Sequence, residues 1–138
     1  SEYNVSDRVF LTGIVNYHEL HEWTCSADIG VSIIEPVSFS YELALPNKLF
    51  EYCMAGVPAI VSDLPAMKNV VDTYGIGYIV KNSSPESVAK AIKYVSEENN
   101  LMKYKSGCIA ASRKFCYESQ EEELLSIFYD INEDTKEG

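Results

Sequence analysis

Short apolar runs alternate with segments of helical periodicity along this chain, and that alternation limits its fold more than any other feature. One run, DIGVSII (28–34), has the continuous apolar character of a strand buried on both faces. The predicted strands are RVFLTG (8–13), DIGVSII (28–34), VPAIVSD (57–63) and GYIV (77–80). Parallel strands need a crossover connection, usually a helix, so the alternation predicts a parallel sheet in an α/β fold.

The predicted helices carry start and stop signals. They span residues 16–27, 46–55, 64–75 and 84–98, with further helical spacing over 101–115 and 124–131. Pro46 begins the second helix, where a missing N–H costs nothing, and Gly56 suits its end. Ser84 is placed to cap a later helix. We predict one domain over residues 1–132 and a disordered acidic tail over 133–138.

The charge of the chain argues against nucleic acid as a bulk partner. The chain has 21 acidic and 11 basic residues and a net charge of −10, whereas phosphate backbones need a positive surface. No run approaches the length of a membrane span. The four cysteines form no CxxC pair, which favours reduced thiols in a cytosolic protein.

Three predicted loops, residues 12–17, 35–48 and 62–68, lie at the carboxyl edge of the sheet, where α/β folds bind ligands. The helix that begins there offers free N–H groups and a positive dipole end, and both favour phosphate. Lys48 can add a charge, and Glu51 can accept two hydroxyl hydrogen bonds from a ribose. The alternative is that Glu51 only compensates the helix dipole and Lys48 is solvated; the residues alone weigh the two equally.

Three segments resemble the donor-binding half of retaining GT-B glycosyltransferases of the group 1 type (family four). PNKLFEYCMAGVPAIVSD (46–63) resembles the donor-site helix of that family. DRVFLTGIVNYHELHEWTCSADIGVSI (7–33) and GYIVKNSSPESVAKAI (77–92) resemble the segments before and after it, in the same order. The resemblance implies a Rossmann-like parallel sheet flanked by helices, an incomplete C-terminal half of a GT-B fold that lacks its first strands.

The resemblance also implies which residues bind the donor nucleotide. Those positions are Gly13, Ile14, Val15, Asn47, Lys48, Leu49 and Glu51. Residues 13–15 match the loop that lies against the base, and residues 47–49 match the helix start that meets the phosphates. Glu51 matches the glutamate that binds the ribose.

The loop that faces the transferred sugar departs from the family pattern. Ser40, Tyr41 and Pro46 lie in this region. The family carries a second glutamate at a fixed spacing before the first, and neither Glu35 nor Glu42 stands at that spacing. Both are weak candidates, so the catalytic residue stays unassigned. The basic pair that neutralises the diphosphate in the family is absent, so we expect the chain alone to be inactive.

The function implied by the resemblance is transfer of a sugar, hexosyltransferase-like, from a nucleotide-diphosphate sugar with retention, in polysaccharide or glycoconjugate synthesis. A saccharide or lipid-linked acceptor would bind through a missing N-terminal half. No cofactor and no metal are expected. We expect a cytoplasmic enzyme, with peripheral contact at the inner face of a membrane. Two alternatives stay open: a nucleotide-sugar 2-epimerase of the same fold, and a non-catalytic α/β binding module.

Two smaller groups of residues receive a structural interpretation. His18, His21 and Cys25 share one helix at a spacing that could present metal ligands, but three ligands on one short helix make a poor tetrahedron, so a solvated or half-buried face is favoured. Ser62 and Asp63 end a strand at the ligand edge, and we interpret them as a cap for the helix that follows.

Overall fold

Three parallel strands form one sheet in the computed structural model, which describes residues 5–35, 45–116, 118–121 and 124–127. They are β1 (Gly30–Ser32), β2 (Ala59–Ser62) and β3 (Gly77–Val80), paired in that order. Ala59 lies opposite Gly30 on one side and opposite Gly77 on the other. The parallel α/β sheet predicted from the sequence is therefore confirmed. The predicted acidic tail, 133–138, lies outside the described residues.

Among the described residues up to 115, one helix precedes β1, one lies between each pair of successive strands, and two follow β3. The helices are α1 (Tyr17–Cys25), α2 (Asn47–Met54), α3 (Pro65–Tyr74), α4 (Pro85–Ser96) and α5 (Glu98–Phe115). The Ser84 side chain accepts a hydrogen bond from the Ser87 N–H, so the predicted cap of α4 is confirmed. Gly75 ends α3 with a φ of 62°, a left-handed conformation that glycine adopts without steric cost. Residues 124–127, within the last predicted helix, are also helical.

The strand predicted over residues 8–13 is wrong. These residues have no strand structure, and Val9, Phe10 and Leu11 are 57%, 80% and 95% exposed. A β-strand is stable only when its backbone groups pair with a neighbour. Within the described residues no strand pairs with this run, so it does not form a strand despite its β-prone residues.

The core lies on both faces of β2, all four residues of which are buried. Val61 packs toward α2, α3 and α5, in a cluster that includes Leu49 and Met67. Ile60 packs on the opposite face, in a cluster that includes Ala91 and Val95 of α4. A central strand covered by helices on both sides is what a parallel sheet requires. Leu49 in this core fixes the first turn of α2 at the carboxyl edge of the sheet.

Helix α2 lies unusually close to β1. A Cβ atom added at Gly30 would overlap the ring of Tyr52, so only glycine leaves room for that ring. The Tyr52 hydroxyl donates to the backbone oxygen of Val31 at 3.3 Å. Burial, together with the nearby charge of Glu51, raises the pKa of the Tyr52 phenol. The contacts of Tyr52 therefore fix the distance between α2 and β1.

Helix α5 supports α2 from behind. The buried thiol of Cys53 on α2 lies 3.5 Å from the Cys108 backbone oxygen. The ring of Phe115 packs edge-on against Phe50 of α2, with 5.0 Å between the ring centroids. Gly107 lets α5 pass directly over the Gly75 carbonyl, since a side chain there would collide with it. These contacts leave α2 little freedom to shift when its first turn meets a ligand.

Candidate functional site

The first turn of α2 is open to solvent and carries no compensating charge. Its N-cap is Pro46, with φ −70° and ψ 138°, and within the described part of the chain no side chain caps the helix. Its first turn holds no acidic residue. The Leu49 N–H donates to the Pro46 oxygen at 3.0 Å, which leaves the amides of Asn47 and Lys48 directed outward from the helix start.

Helix α1 provides the contrast. Its N-cap, Asn16, accepts a hydrogen bond from the His18 N–H at 3.2 Å, and Glu19 stands in its first turn. Both features reduce the affinity of a helix start for an anion, because the donor is occupied and the dipole is compensated. The start of α2 has neither feature, so it can bind a negatively charged group.

A cleft of about 660 Å³ separates α1 from α2. Its volume falls within the range of about 300–1,000 Å³ typical of small-molecule sites. The lining residues are Tyr17, His18, Leu20, His21 and Thr24 from α1, and Asn47, Phe50, Glu51 and Met54 from α2. Each set has the spacing of one helix face, so two helix faces form the walls.

The two helices run in the same direction. A second, smaller cleft at their far ends is lined by Cys25 and Ala27 from one and by Met54 and Ala55 from the other. The carboxyl end of α1 therefore lies beside the carboxyl end of α2, and both helices begin at the same edge of the sheet. His21 and Glu51 each lie four residues after the first cleft residue of their helix, so both stand in the second turn, one on each wall.

The structure brings together the predicted phosphate and ribose residues. Asn47 and the half-buried Glu51 line the same cleft, and Lys48 is exposed beside them. No ion pair forms at Lys48 within the described ranges. Leu49 is completely buried, so only its backbone lies near the site. Because Glu51 lies in the second turn, it is not the first-turn acid that dipole compensation calls for.

The predicted base-binding loop lies outside the cleft. Gly13 has a φ of 68°, and Ile14 is fully exposed, in the segment that leads into α1. Val15 is half-buried, and none of the three lines the cleft. Glu35 is exposed and also lies outside the cleft. The remaining predicted residues, Ser40, Tyr41 and Glu42, lie outside the described residues.

The α1 wall of the cleft carries two histidines that the sequence does not place there. His18 and His21 are exposed, as predicted, and both line the cleft opposite α2. The Nε2 atom of His21 lies 3.5 Å from the Cys25 sulfur. Among the described residues no group of three or more side chains could hold a metal ion. The only available signal was the helical spacing from Tyr17 to Thr24, and it does not say which neighbour that face meets.

The capping role predicted for Ser62 and Asp63 is wrong. Helix α3 has Leu64 at its N-cap, with no capping side chain among the described residues. The buried Ser62 hydroxyl instead accepts a hydrogen bond from the Ile34 N–H at 2.7 Å. Asp63 lies 3.9 Å from Lys68. Ser62 therefore ties the segment after β1 to the end of β2, at the edge where α2 begins.

Comparison with known proteins gives one family. The family model described as glycosyl transferases group 1 matches residues 1–115, which include all three strands and all five helices named above. No curated protein matches the chain. Within the described residues, no helix has the length and apolar character needed to cross a membrane.

Proposed function

Because the chain belongs to the glycosyl transferases group 1 family, we propose that α2 and the cleft beside it bind the nucleotide of a nucleotide-diphosphate sugar donor. Glycosyl transfer is the activity of the family. The observation that carries the proposal is the uncapped start of α2, with Glu51 one turn further along the cleft. That order, an anion site followed by a carboxylate, is the order of phosphate and ribose along a nucleotide.

The diphosphate binds at the helix start. The amides of Asn47 and Lys48 point toward it, and the Lys48 ammonium group adds a full positive charge. Negative charge grows on the diphosphate as the glycosyl bond breaks. Hydrogen-bond donors that are already oriented toward the diphosphate therefore bind the transition state more strongly than the ground state, which lowers the barrier. In this proposal the protein's own groups stabilise the leaving group, with no metal and no cofactor.

The ribose binds at Glu51. A carboxylate accepts hydrogen bonds only, and two adjacent hydroxyl groups can each donate one to it. Glu51 is half-buried beside Phe50, so water competes less for these bonds than it would on an open surface. One helical turn, about 5.4 Å, separates the two sites, in keeping with the reach from a ribose to its phosphates.

The remaining parts of the donor are assigned by the resemblance of residues 7–63 to the family. The base extends beyond the cleft and lies against residues 13–15, which precede α1, and the transferred sugar faces Ser40, Tyr41 and Pro46. Glu35 and Glu42 are the candidates for contact with the reacting sugar. Transfer proceeds with retention to a saccharide or lipid-linked acceptor, in polysaccharide or glycoconjugate synthesis. The reaction takes place in the cytoplasm, with peripheral contact at the inner face of a membrane.

Calorimetric titration of the full-length protein with UDP and then GDP tests this proposal. We expect one of them to bind, and Glu51→Ala to weaken that binding roughly 10- to 100-fold, because a hydrogen bond to a charged group contributes about 1.5–3 kcal/mol. Glu22→Ala is the matched control, since Glu22 is exposed on α1 outside the cleft lining and its loss should leave the affinity unchanged. Near-normal affinity in Glu51→Ala would contradict the proposal.

A further inference from the structure

The α1 wall of the cleft carries a group that matches Glu51. We propose that His21 is a second ribose-binding residue, which donates a hydrogen bond to the same pair of hydroxyl groups that Glu51 accepts from. This inference rests on the proposed function and adds a specificity-determining residue to it. The juxtaposition that carries it is an imidazole and a carboxylate on opposite walls of one cleft, each in the second turn of its helix.

The position of His21 follows from the parallel arrangement of the helices. Tyr17 and Asn47 are the first cleft residues of α1 and α2, and His21 and Glu51 each follow four residues later. Four residues are about one turn, so both side chains project from the second turn of their helices. A ribose held by Glu51 therefore faces the wall that carries His21.

The His21 ring is held on the α1 wall by a local contact. Its Nε2 atom lies 3.5 Å from the sulfur of Cys25, one turn further along the same helix. No other hydrogen-bond partner of His21 occurs in the described part of the chain. The ring is thus oriented, and one of its nitrogen atoms is left for a ligand.

The chemistry of a ribose requires a donor as well as an acceptor. Each hydroxyl group has one hydrogen to donate and two lone pairs that accept. The Glu51 carboxylate accepts hydrogen bonds from both hydroxyl groups, but it has no hydrogen to donate to their lone pairs. With the Cys25 thiol donating to Nε2, the imidazole proton lies on Nδ1, and this N–H is the donor that His21 supplies.

Among the described residues, the other donors that line the cleft either lie in the first turns of the two helices, as Tyr17, His18 and Asn47 do, or are already bonded. Leu20 and Phe50 are apolar. The Thr24 hydroxyl already donates to the Leu20 backbone oxygen at 2.8 Å. The amide groups of Asn47 and Lys48 lie at the helix start, where the proposal places the diphosphate. His21 is therefore the cleft residue that can complete the recognition of the ribose.

The test compares ribose with dideoxyribose in a variant cycle on the full-length protein. Whichever of UDP and GDP binds is titrated calorimetrically beside its 2′,3′-dideoxy form, into the wild type, His21→Ala and Glu51→Ala. We expect His21→Ala to weaken binding of the ribonucleotide about fivefold to tenfold, as loss of one neutral hydrogen bond predicts. The same variant should bind the dideoxy nucleotide as the wild type does, because the hydroxyl groups are gone.

Two further variants separate hydrogen bonding from packing. His21→Gln keeps an N–H donor at a similar reach and should recover part of the lost affinity, whereas Glu22→Ala should change nothing. Since His21 is exposed and alanine favours helix, the alanine variant should unfold at the wild-type temperature.

The outcomes separate the inference from the proposed function. Equal weakening of ribo- and dideoxy nucleotides by His21→Ala would show that His21 does not touch the hydroxyl groups, and would overturn the inference alone if Glu51→Ala discriminates between them. If neither nucleotide binds, or if Glu51→Ala binds normally, the proposed function fails and the inference fails with it.

Discussion

At the scale of single residues, the distance between α2 and β1 depends on Gly30 and Tyr52. Gly30 in β1 has no side chain, and the Tyr52 ring occupies the space that a Cβ atom would need. The Tyr52 hydroxyl is then close enough to bond the Val31 oxygen. Glu51 directly precedes this tyrosine, so the same contact fixes where the carboxylate enters the cleft.

Gly30→Ala should therefore disturb both stability and the site. The methyl group would overlap the Tyr52 ring and displace α2, so we expect the free energy of unfolding to fall by about 1–3 kcal/mol. Urea unfolding of the full-length protein measures this change. The cost should shrink in a Tyr52→Leu background, where the ring is absent. An unchanged unfolding free energy in Gly30→Ala would show that α2 does not lie this close to β1.

At the scale of elements, α1 and α2 start side by side but differ in the caps and charges of their first turns. Helix α1 is capped by Asn16 and has Glu19 in its first turn, whereas α2 is uncapped and without a first-turn acid. An uncapped helix start costs stability, on the order of 1 kcal/mol. Binding of a diphosphate would recover part of that cost, since its oxygens would meet the free amides.

Asn47→Asp should separate stability from binding. A carboxylate in the first turn of α2 compensates the dipole, so we expect the unfolding free energy to rise by about 0.3–1 kcal/mol. The same charge repels a diphosphate, so nucleotide affinity should fall. Asn99→Asp makes the same change in the first turn of α5 and should leave nucleotide affinity unchanged. Tighter nucleotide binding in Asn47→Asp would show that the helix start does not bind the phosphates.

Element positions were largely predictable because their ends carry local signals. Proline at a helix start and glycine just past a helix end act within a few residues, so the predicted and observed bounds of α2 and α3 agree closely. The run over 8–13 was misjudged because a strand depends on a partner that sequence spacing does not reveal. Trp23 illustrates the same limit: it shares a helical face with Leu20, yet it is 54% exposed.

Only the part of the candidate site that depends on the local backbone of α2 was predictable from the sequence. An open helix start and a carboxylate one turn later follow from local sequence, so Asn47, Lys48 and Glu51 could be named in advance. The α1 wall could not, because whether His21 faces solvent or α2 depends on the path of both helices. Ser62 was misassigned for a related reason, since its partner, the Ile34 N–H, lies on the neighbouring segment of the sheet.

At the scale of the whole molecule, we propose that the carboxyl edge of the sheet presents one nucleotide-diphosphate site along α2. The core contacts of Leu49, the Tyr52–Val31 hydrogen bond and the Phe50–Phe115 ring pair all fix this helix in place. A rigid helix start loses little freedom when it binds an anion, so the fold itself prepares the site.

The most direct measurement is an amide proton–nitrogen correlation spectrum of the full-length protein, recorded during titration with the nucleoside diphosphate that binds and with its nucleoside. We expect the diphosphate to produce the largest shifts at the Asn47 and Lys48 amides, and the nucleoside to leave those two amides nearly unchanged. If these amides do not move when the diphosphate saturates the protein, the start of α2 is not the phosphate site.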